Sequence, residues 1–400
     1  GQLKIATLAG DYWYVTPVKA ASERPLTIVP VVNCSEPREV LNSQAWLQPE
    51  RLNRPAAYLA IRDPGTEPTY GGCGLPKITG HYGIPSNITP LESDPNALLL
   101  IYGQGLESPM GDLTGRSRSA EQQYQTLQPI NNGTSCAKGV TLNIVAHQDD
   151  DLLFLSPDLL RDVDARRCIR TLFVTAGDAG QDLNYWYGRE QGAMAAYAQM
   201  YNVPNSWRQA HQTIAGRRVS VQYLNGVPQV SLVFLRLPDG GIPGEGFATD
   251  KHQSLKHLYE GAVQTLASVD GKATYTEQGL ISALVDVMAA DKPDIIRTQD
   301  DSAANRADDH SDHRLVGYFT KLAHSRYHQR HNLKTYLGYT QRLKEPNVSE
   351  EDVARKQAAF FTYGAFDPSV CRSVEECALS ETYGLYLQRQ YIVDDIHRKR

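Results

Sequence analysis

Two short runs carry the side chains best suited to chemistry. Ala146-His147-Gln148-Asp149-Asp150-Asp151 directly follows the apolar run Leu142-Asn143-Ile144-Val145, and His310-Ser311-Asp312-His313 lies far downstream. A short apolar run ending in His-x-Asp-Asp reads as a buried strand that delivers polar side chains to its C-terminal tip. Ligands collect at that edge in open α/β sheets. His and Asp at i and i+3 can both turn towards one point where the strand passes into a helix. With one imidazole from the second run they make a His/Asp/His set, which suits Zn²⁺ and leaves a position open for water. The bland alternative is that the acids cap helices and the histidines sit in polar loops.

The elements that must position these runs follow from periodicity. From residue 138 onward, apolar strand candidates at 141–146, 169–175, 230–236 and 294–298 alternate with helical patterns at 189–202, 252–268, 276–290 and 312–325. That alternation predicts a mostly parallel sheet with helices on both faces. Val221–Leu224 and Val230–Val233, joined through Asn225-Gly226, form a candidate antiparallel hairpin feeding the sheet. The tail from 350 to 392 shows two helical stretches separated by the Asp367-Pro368 loop. Residues 1–137 differ: Pro and Gly are frequent, and short β-rich runs such as Leu26–Val29 and Leu98–Tyr102 replace helical patterns. They predict a β-rich accessory domain or extension, with 138–400 as the domain that carries both polar runs.

Taken together, the two runs resemble the signature of the LmbE-like deacetylases, a family that includes the GlcNAc-phosphatidylinositol de-N-acetylases (PIG-L). Three further segments fit in order. Thr175-Ala176-Gly177-Asp178-Ala179-Gly180 is similar to the family's segment after its second strand. Arg189-Glu190-Gln191-Gly192 is similar to the start of its next helix, and Leu237-Pro238-Asp239-Gly240-Gly241 to its substrate loop. The resemblance spans roughly residues 138 to 390 and implies an α/β, Rossmann-like, mostly parallel sheet flanked by helices, here with the N-terminal β-rich extension.

It also implies roles. Zn²⁺ would be held by His147, Asp150 and His313, with Asp149 as general base. His310 would stand near the substrate carbonyl as an imidazolium, and Asp312 would orient a neighbouring imidazole and keep it charged. Arg189 and Asp239 become candidate substrate contacts. The aromatic run Tyr185-Trp186-Tyr187, read as a loop, is a candidate sugar-packing surface. Asp151 reads instead as a first-turn carboxylate favoured by the helix dipole. Two departures stand out: Gln148 and Ser311 occupy positions where the family often has proline. Asp308 stands where some members carry a tyrosine, which leaves that tyrosine's role unassigned.

The chain has 400 residues and a net charge of −5, with a pI near 6.1. Nothing in that balance calls for nucleic acid or an anionic membrane as partner, and no apolar run reaches the roughly 18 residues of a membrane span. The chain does not open with a signal peptide, so it reads as cytosolic or as an already cleaved mature form. Cys34, Cys73, Cys136, Cys168, Cys371 and Cys377 are even in number and lack Cys-x-x-Cys spacing. If the strands after Cys136 and Cys168 are parallel neighbours, both thiols emerge at one sheet edge. Cys371 and Cys377 flank a short loop, which leaves Cys34 with Cys73. Buried free thiols in a cytosolic enzyme are the alternative. With the sequons at Asn33, Asn87, Asn132 and Asn347, the disulfide reading favours secretion and glycosylation.

The function expected is zinc-dependent removal of acetyl from an N-acetylamino sugar, a GlcNAc-type glycan or glycoconjugate. A glycan-binding protein with a vestigial zinc pocket and a metal-dependent phosphoesterase are the competing classes.

Overall fold

The computed structural model describes residues 126–398, apart from 131–134, 303–308 and 380–381, together with strand segments before residue 103. The chain forms two compact units, Gly1–Gln122 and Gln123–Arg400. In the first, β1 (Thr7–Asp11), β2 (Thr27–Val32), β3 (Glu36–Pro37), β4 (Ala56–Ile61), β5 (Asn87–Leu91) and β6 (Asp94–Tyr102) make a sheet in the order β3-β2-β1-β4-β6-β5.

The second unit begins with a stretch laid along its own sheet. Thr126 bridges to Thr213, and Ile130 N–H donates to Asp291 at 2.9 Å. Then come β7 (Val140–Val145), α1 (Asp150–Leu153), α2 (Asp158–Asp164), β8 (Cys168–Thr175), α3 (Leu183–Met200), β9 (Trp207–Ile214), β10 (Arg217–Leu224) and β11 (Val230–Leu237). They are followed by α4 (Leu255–Tyr259), a small ribbon of β12 (Leu266–Ala267) and β13 (Thr274–Tyr275), α5 (Glu277–Asp291), β14 (Ile295–Gln299) and α6 (Ser311–Arg326). The unit ends with β15 (His331–Tyr336), α7 (Glu350–Gly364), α8 (Val374–Leu379), α9 (Tyr383–Leu387) and β16 (Ile392–Arg398).

These strands form one eight-stranded sheet ordered β16-β15-β14-β7-β8-β11-β10-β9. The five central strands, β15 to β11, run parallel. β10 and β11 form the antiparallel hairpin read from Asn225-Gly226. Central parallel strands are covered on both faces and so must be apolar on both. Leu142 and Ile144 of β7 pack with α5 and α6 on one side, while Val145 joins α1, α3 and α7 on the other.

The topology fixes where a site can form. From β7 the chain moves outward through β8 to β11, then returns to place β14 on the opposite side of β7. The loops after β7 and β14 therefore diverge at a switch point, which opens a crevice at the C-terminal edge. Both polar runs lie where those loops pass into helices, the first at the start of α1 and the second at the start of α6.

Several elements differ from the sequence expectation. The helical pattern at 252–268 yields only α4: Ser254 caps its start, and Gly261 in the left-handed region (φ +73°) turns the chain away. α3 begins at Leu183, six residues before the expected start, because the Asp182 side chain accepts from Asn184 N–H at 3.0 Å. β9, β15 and β16 have no counterpart among the expected strands. β16 is an edge strand with mostly exposed residues, so it lacks the apolar run by which the central strands were read.

Cys136 is bonded to Cys168 and Cys371 to Cys377. The first bond joins the approaches to β7 and β8, whose register pairs Val140 with Cys168, as the sheet-edge argument requires. Cys34 and Cys73 lie outside the described residues, as do Asn33 and Asn132. Of the other two sequons, Asn87 is buried and Asn347 is exposed. Among the described residues no helix is long and apolar enough to cross a membrane. The Cys136–Cys168 bond closes a sequence separation of 32, for which loop-closure entropy predicts about 3–4 kcal/mol. A Cys136→Ser/Cys168→Ser double variant is expected to lose about that much in denaturant unfolding. An unchanged midpoint would show that the bond contributes nothing.

Candidate active site at the switch point

β7 ends at Val145, and the turn that follows is tied to its neighbours on both sides. Ala146 N–H donates to Gln299 Oε1 of β14 at 3.0 Å, and Gln148 Nε2 donates to Thr175 O of β8 at 3.0 Å. Gln148 thus secures by hydrogen bonding a turn where the family often uses proline. Asp150 opens α1, and its Oδ2 accepts from His147 N–H at 2.5 Å.

The second run arrives on the first turn of α6. His313 Nε2 lies 3.2 Å from His147 Nδ1 and 3.0 Å from Asp150 Oδ1, while His147 Nδ1 is 3.4 Å from Asp150 Oδ2. Three donors on a tetrahedral Zn²⁺ with bonds of roughly 2.0–2.1 Å are separated by about 3.3 Å. The separations are close to that spacing, with His313 facing one oxygen of Asp150 and His147 the other. His313 Nδ1 is paired with Asp309 Oδ1 at 2.8 Å, which fixes the tautomer and leaves Nε2 free as a ligand. Gly338 makes room for that carboxylate, since a Cβ there would meet its oxygens at 2.5 Å.

The electrostatics call for positive charge. Burial opposes a charge on His313, yet Asp150 and Asp309 outweigh it and push its pKa up to about 9. Burial also opposes a charge on His147, but Asp150, Asp312 and Asp239 together raise it well above the ordinary value. A divalent cation can supply what two protons otherwise would.

Asp149, beside the triangle, turns the other way. Its Oδ1 accepts from Arg189 Nη2 at 2.7 Å. Arg189 is held in turn by Gly177 O at 2.6 Å, Tyr363 Oη at 2.7 Å and Asp367 Oδ2 at 3.0 Å. Its guanidinium is therefore committed to Asp149 and the C-terminal segment, while Glu190 pairs with Arg236. Burial raises the pKa of Asp149 in spite of Arg189, which suits a group that must accept a proton near neutral pH.

His310 is the N-cap of α6, and its Nδ1 accepts from Asp312 N–H at 3.2 Å. That nitrogen carries no proton. Burial, followed by the charge of His147, holds the pKa of His310 well below its ordinary value. With Nδ1 accepting from the main chain, Nε2 is the nitrogen of His310 that can present a proton to the cavity. Asp312 lies 3.8 Å from His310 Nδ1 and 3.5 Å from His147 Nε2, and it accepts from Gly240 N–H at 2.9 Å.

A cavity of about 460 Å³ opens over this cluster. His147, Asp149, His310, Arg189, Asp239 and Tyr185 line it, while Asp150, His313 and Asp312 lie behind. Trp186 and Tyr187 are buried within α3 and do not reach it: Trp186 packs under the Arg236 guanidinium, and Tyr187 is fully enclosed. Asp151 stands in the first turn of α1, as its place in the sequence suggests, and there it is buried and accepts from Tyr197 Oη at 2.6 Å. Asp308 lies outside the described residues.

Asp309, Tyr339, Asp367 and Tyr383 are among the residues at this site that were not singled out in the sequence. Asp309 had a signal, an acid next to a ligand-type histidine. The others come from the chain beyond α6 and had none.

Residues 142–324 match the profile of PIG-L, GlcNAc-PI de-N-acetylase. These residues belong to the PIG-L family. The match contains both polar runs, Arg189 and Asp239, and stops short of Tyr339, Asp367 and Tyr383. No curated protein matches the chain.

Solved structures similar to the chain include the zinc-inhibited form of teicoplanin deacetylase Orf2. It shows 15% identity, 60% of this chain and 90% of that one covered, and a TM-score of 0.34. Another is N,N′-diacetylchitobiose deacetylase from Pyrococcus horikoshii (14% identity, 58% and 72% covered, TM-score 0.31). A third is the 4-carboxy-2-hydroxymuconate hydratase GalB from Pseudomonas putida (11%, 57% and 82%, TM-score 0.32).

Proposed function

We propose that the chain is a zinc-dependent N-deacetylase that hydrolyses the N-acetyl amide of an amino sugar, releasing acetate and a free amine. The observation that carries this reading is the His147/Asp150/His313 triangle with the Asp149 carboxylate beside it, where His147 and Asp149 line the cavity and Asp150 and His313 lie behind. The PIG-L match over the same residues supports it. When bound, Zn²⁺ would lower the pKa of a water to about 7 and polarise the acyl oxygen.

The chain's own residues do the rest. Asp149 accepts the proton of the attacking water as its oxygen bonds to the acyl carbon. It returns that proton to the nitrogen as the C–N bond breaks. Arg189 holds Asp149 in place. His310 presents Nε2–H to the oxygen on which charge develops. Asp239 Oδ1, fixed by Gly241 N–H at 2.7 Å, lies 3.5 Å from that nitrogen and steadies the ring. Asp239 and Tyr185 are the proposed sugar contacts, joined by the aromatic walls Phe247 and Tyr383, whose faces pack on sugar rings.

The two disulfides support an oxidising compartment, so an extracellular glycan, oligosaccharide or glycoconjugate is the proposed substrate. A screen of N-acetylated saccharides is expected to give acetate and a matching amount of free amine from at least one GlcNAc-type compound. Saccharide binding without acetate release, by zinc-loaded protein, would instead identify a glycan-binding protein.

A further inference from the structure

β16 is an open edge of the sheet. It pairs with β15 on one side, and among the described residues no strand pairs with the other. The opposite edge is closed in part, because Thr126 bridges to Thr213 of β9 and Leu127 N–H donates to Thr213 O at 3.0 Å. β16 also leaves Ile392, Val393 and Ile396 at least 40% exposed. The phase of the ladder fixes which main-chain groups are free. Asn332 N–H of β15 points to the β14 side, where Asp294 O accepts it at 2.9 Å, so His331, Leu333 and Thr335 turn theirs towards β16. Their partners there are Arg398, Ile396 and Asp394. Asp395 and His397 therefore present N–H and C=O to the open side.

The order of charges decides what this edge accepts. Asp394 and Asp395 precede Ile396, and His397 and Arg398 follow it. An antiparallel copy centred on Ile396 sets Asp395 opposite the partner's His397, in a pair that exchanges both main-chain hydrogen bonds. It sets Asp394 opposite the partner's Arg398, and Ile396 against its own counterpart at the closer spacing of roughly 4.5 Å between Cα atoms. Moving the axis one residue either way puts Asp395 on Asp395 or His397 on His397, and like groups directly opposite are unfavourable. Charges guard an exposed edge when the approaching strand brings the same sign; a second copy of β16 brings the opposite sign at each position. We propose that two copies of this chain pair antiparallel through β16, with Ile396 on the two-fold axis, joining their sheets into one. The contact is isologous, so it closes on itself as a dimer. It is a strand edge rather than a broad face, which makes the association weak and reversible. It does not depend on the deacetylase reading.

The test is sedimentation equilibrium of the full chain at concentrations up to roughly 100 µM. The wild type is expected to show a reversible monomer–dimer equilibrium. Ile396→Lys and Ile396→Glu each place like charges face to face on the axis and should weaken association roughly 10-fold or more. An equal mixture of the two variants sets Lys against Glu and should restore it, which an unfolded variant could not do. A wild type that stays monomeric throughout overturns the proposal. So does a dimer that neither variant weakens, because the contact then lies elsewhere. Two weakened variants that fail to associate when mixed overturn the pairing about Ile396.

Discussion

Asp149→Asn is expected to keep its fold and one tight zinc while losing roughly 10²–10⁴ in turnover, the usual worth of a general base. The side chain keeps its size, and none of the triangle's three ligands is touched. Arg189 retains Gly177 O, Tyr363 and Asp367, so it is not left as a buried unpaired charge. What disappears is a carboxylate whose proton affinity burial has raised, and an amide cannot take a proton near neutral pH. Asp150→Asn should behave in the opposite way, losing metal because a neutral amide oxygen is a poorer ligand. Turnover and bound zinc, measured side by side, separate the two. If Asp149→Asn loses metal while Asp150→Asn keeps both metal and activity, the roles of the two carboxylates are reversed.

Removing a ligand imidazole should have the larger effect on metal. His313→Ala and His147→Ala are each expected to abolish tight zinc binding and reduce acetate release to background. In the His313 variant the buried carboxylates of Asp150 and Asp309 also lose the group that sits between them. Asp309→Asn provides the scale. It leaves all three ligands and weakens only the hold on His313 Nδ1, so roughly a 10–100-fold loss in zinc affinity is expected. Zinc analysis after dialysis distinguishes the cases. Full occupancy in both alanine variants would remove the assignment.

The centre of the sheet was legible for a physical reason. A parallel strand covered on both faces must be a short continuous apolar run, and Leu142–Val145 ends directly at His147. The later run supplied the missing imidazole, and sheet order brings the two together. The failures have equally local causes. Tyr185-Trp186-Tyr187 read as a loop because aromatic residues are middling helix formers, whereas the Asp182 cap places them in the first turn of α3. The apolar spacing at 252–268 outweighed Gly261, where the chain in fact turns.

The C-terminal contribution to the site was not legible at all. Arg189 reads in the sequence as a candidate substrate contact, whereas the fold pairs its guanidinium with Asp149, Tyr363 and Asp367. The contact between Arg189 and Tyr363 spans 174 positions, and no periodicity within either segment encodes it. Tyr339 and Tyr383 are likewise ordinary tyrosines in sequence, and only the fold puts them on the cavity wall.

Zinc-dependent acetate release is the most direct measure of the central claim. Chain stripped with a chelator should release no acetate from a GlcNAc-type saccharide, and one equivalent of zinc should restore release with an equal yield of free amine. Acetate release that survives complete removal of the metal, or its absence from zinc-loaded chain across the N-acetylated saccharides, would contradict the account.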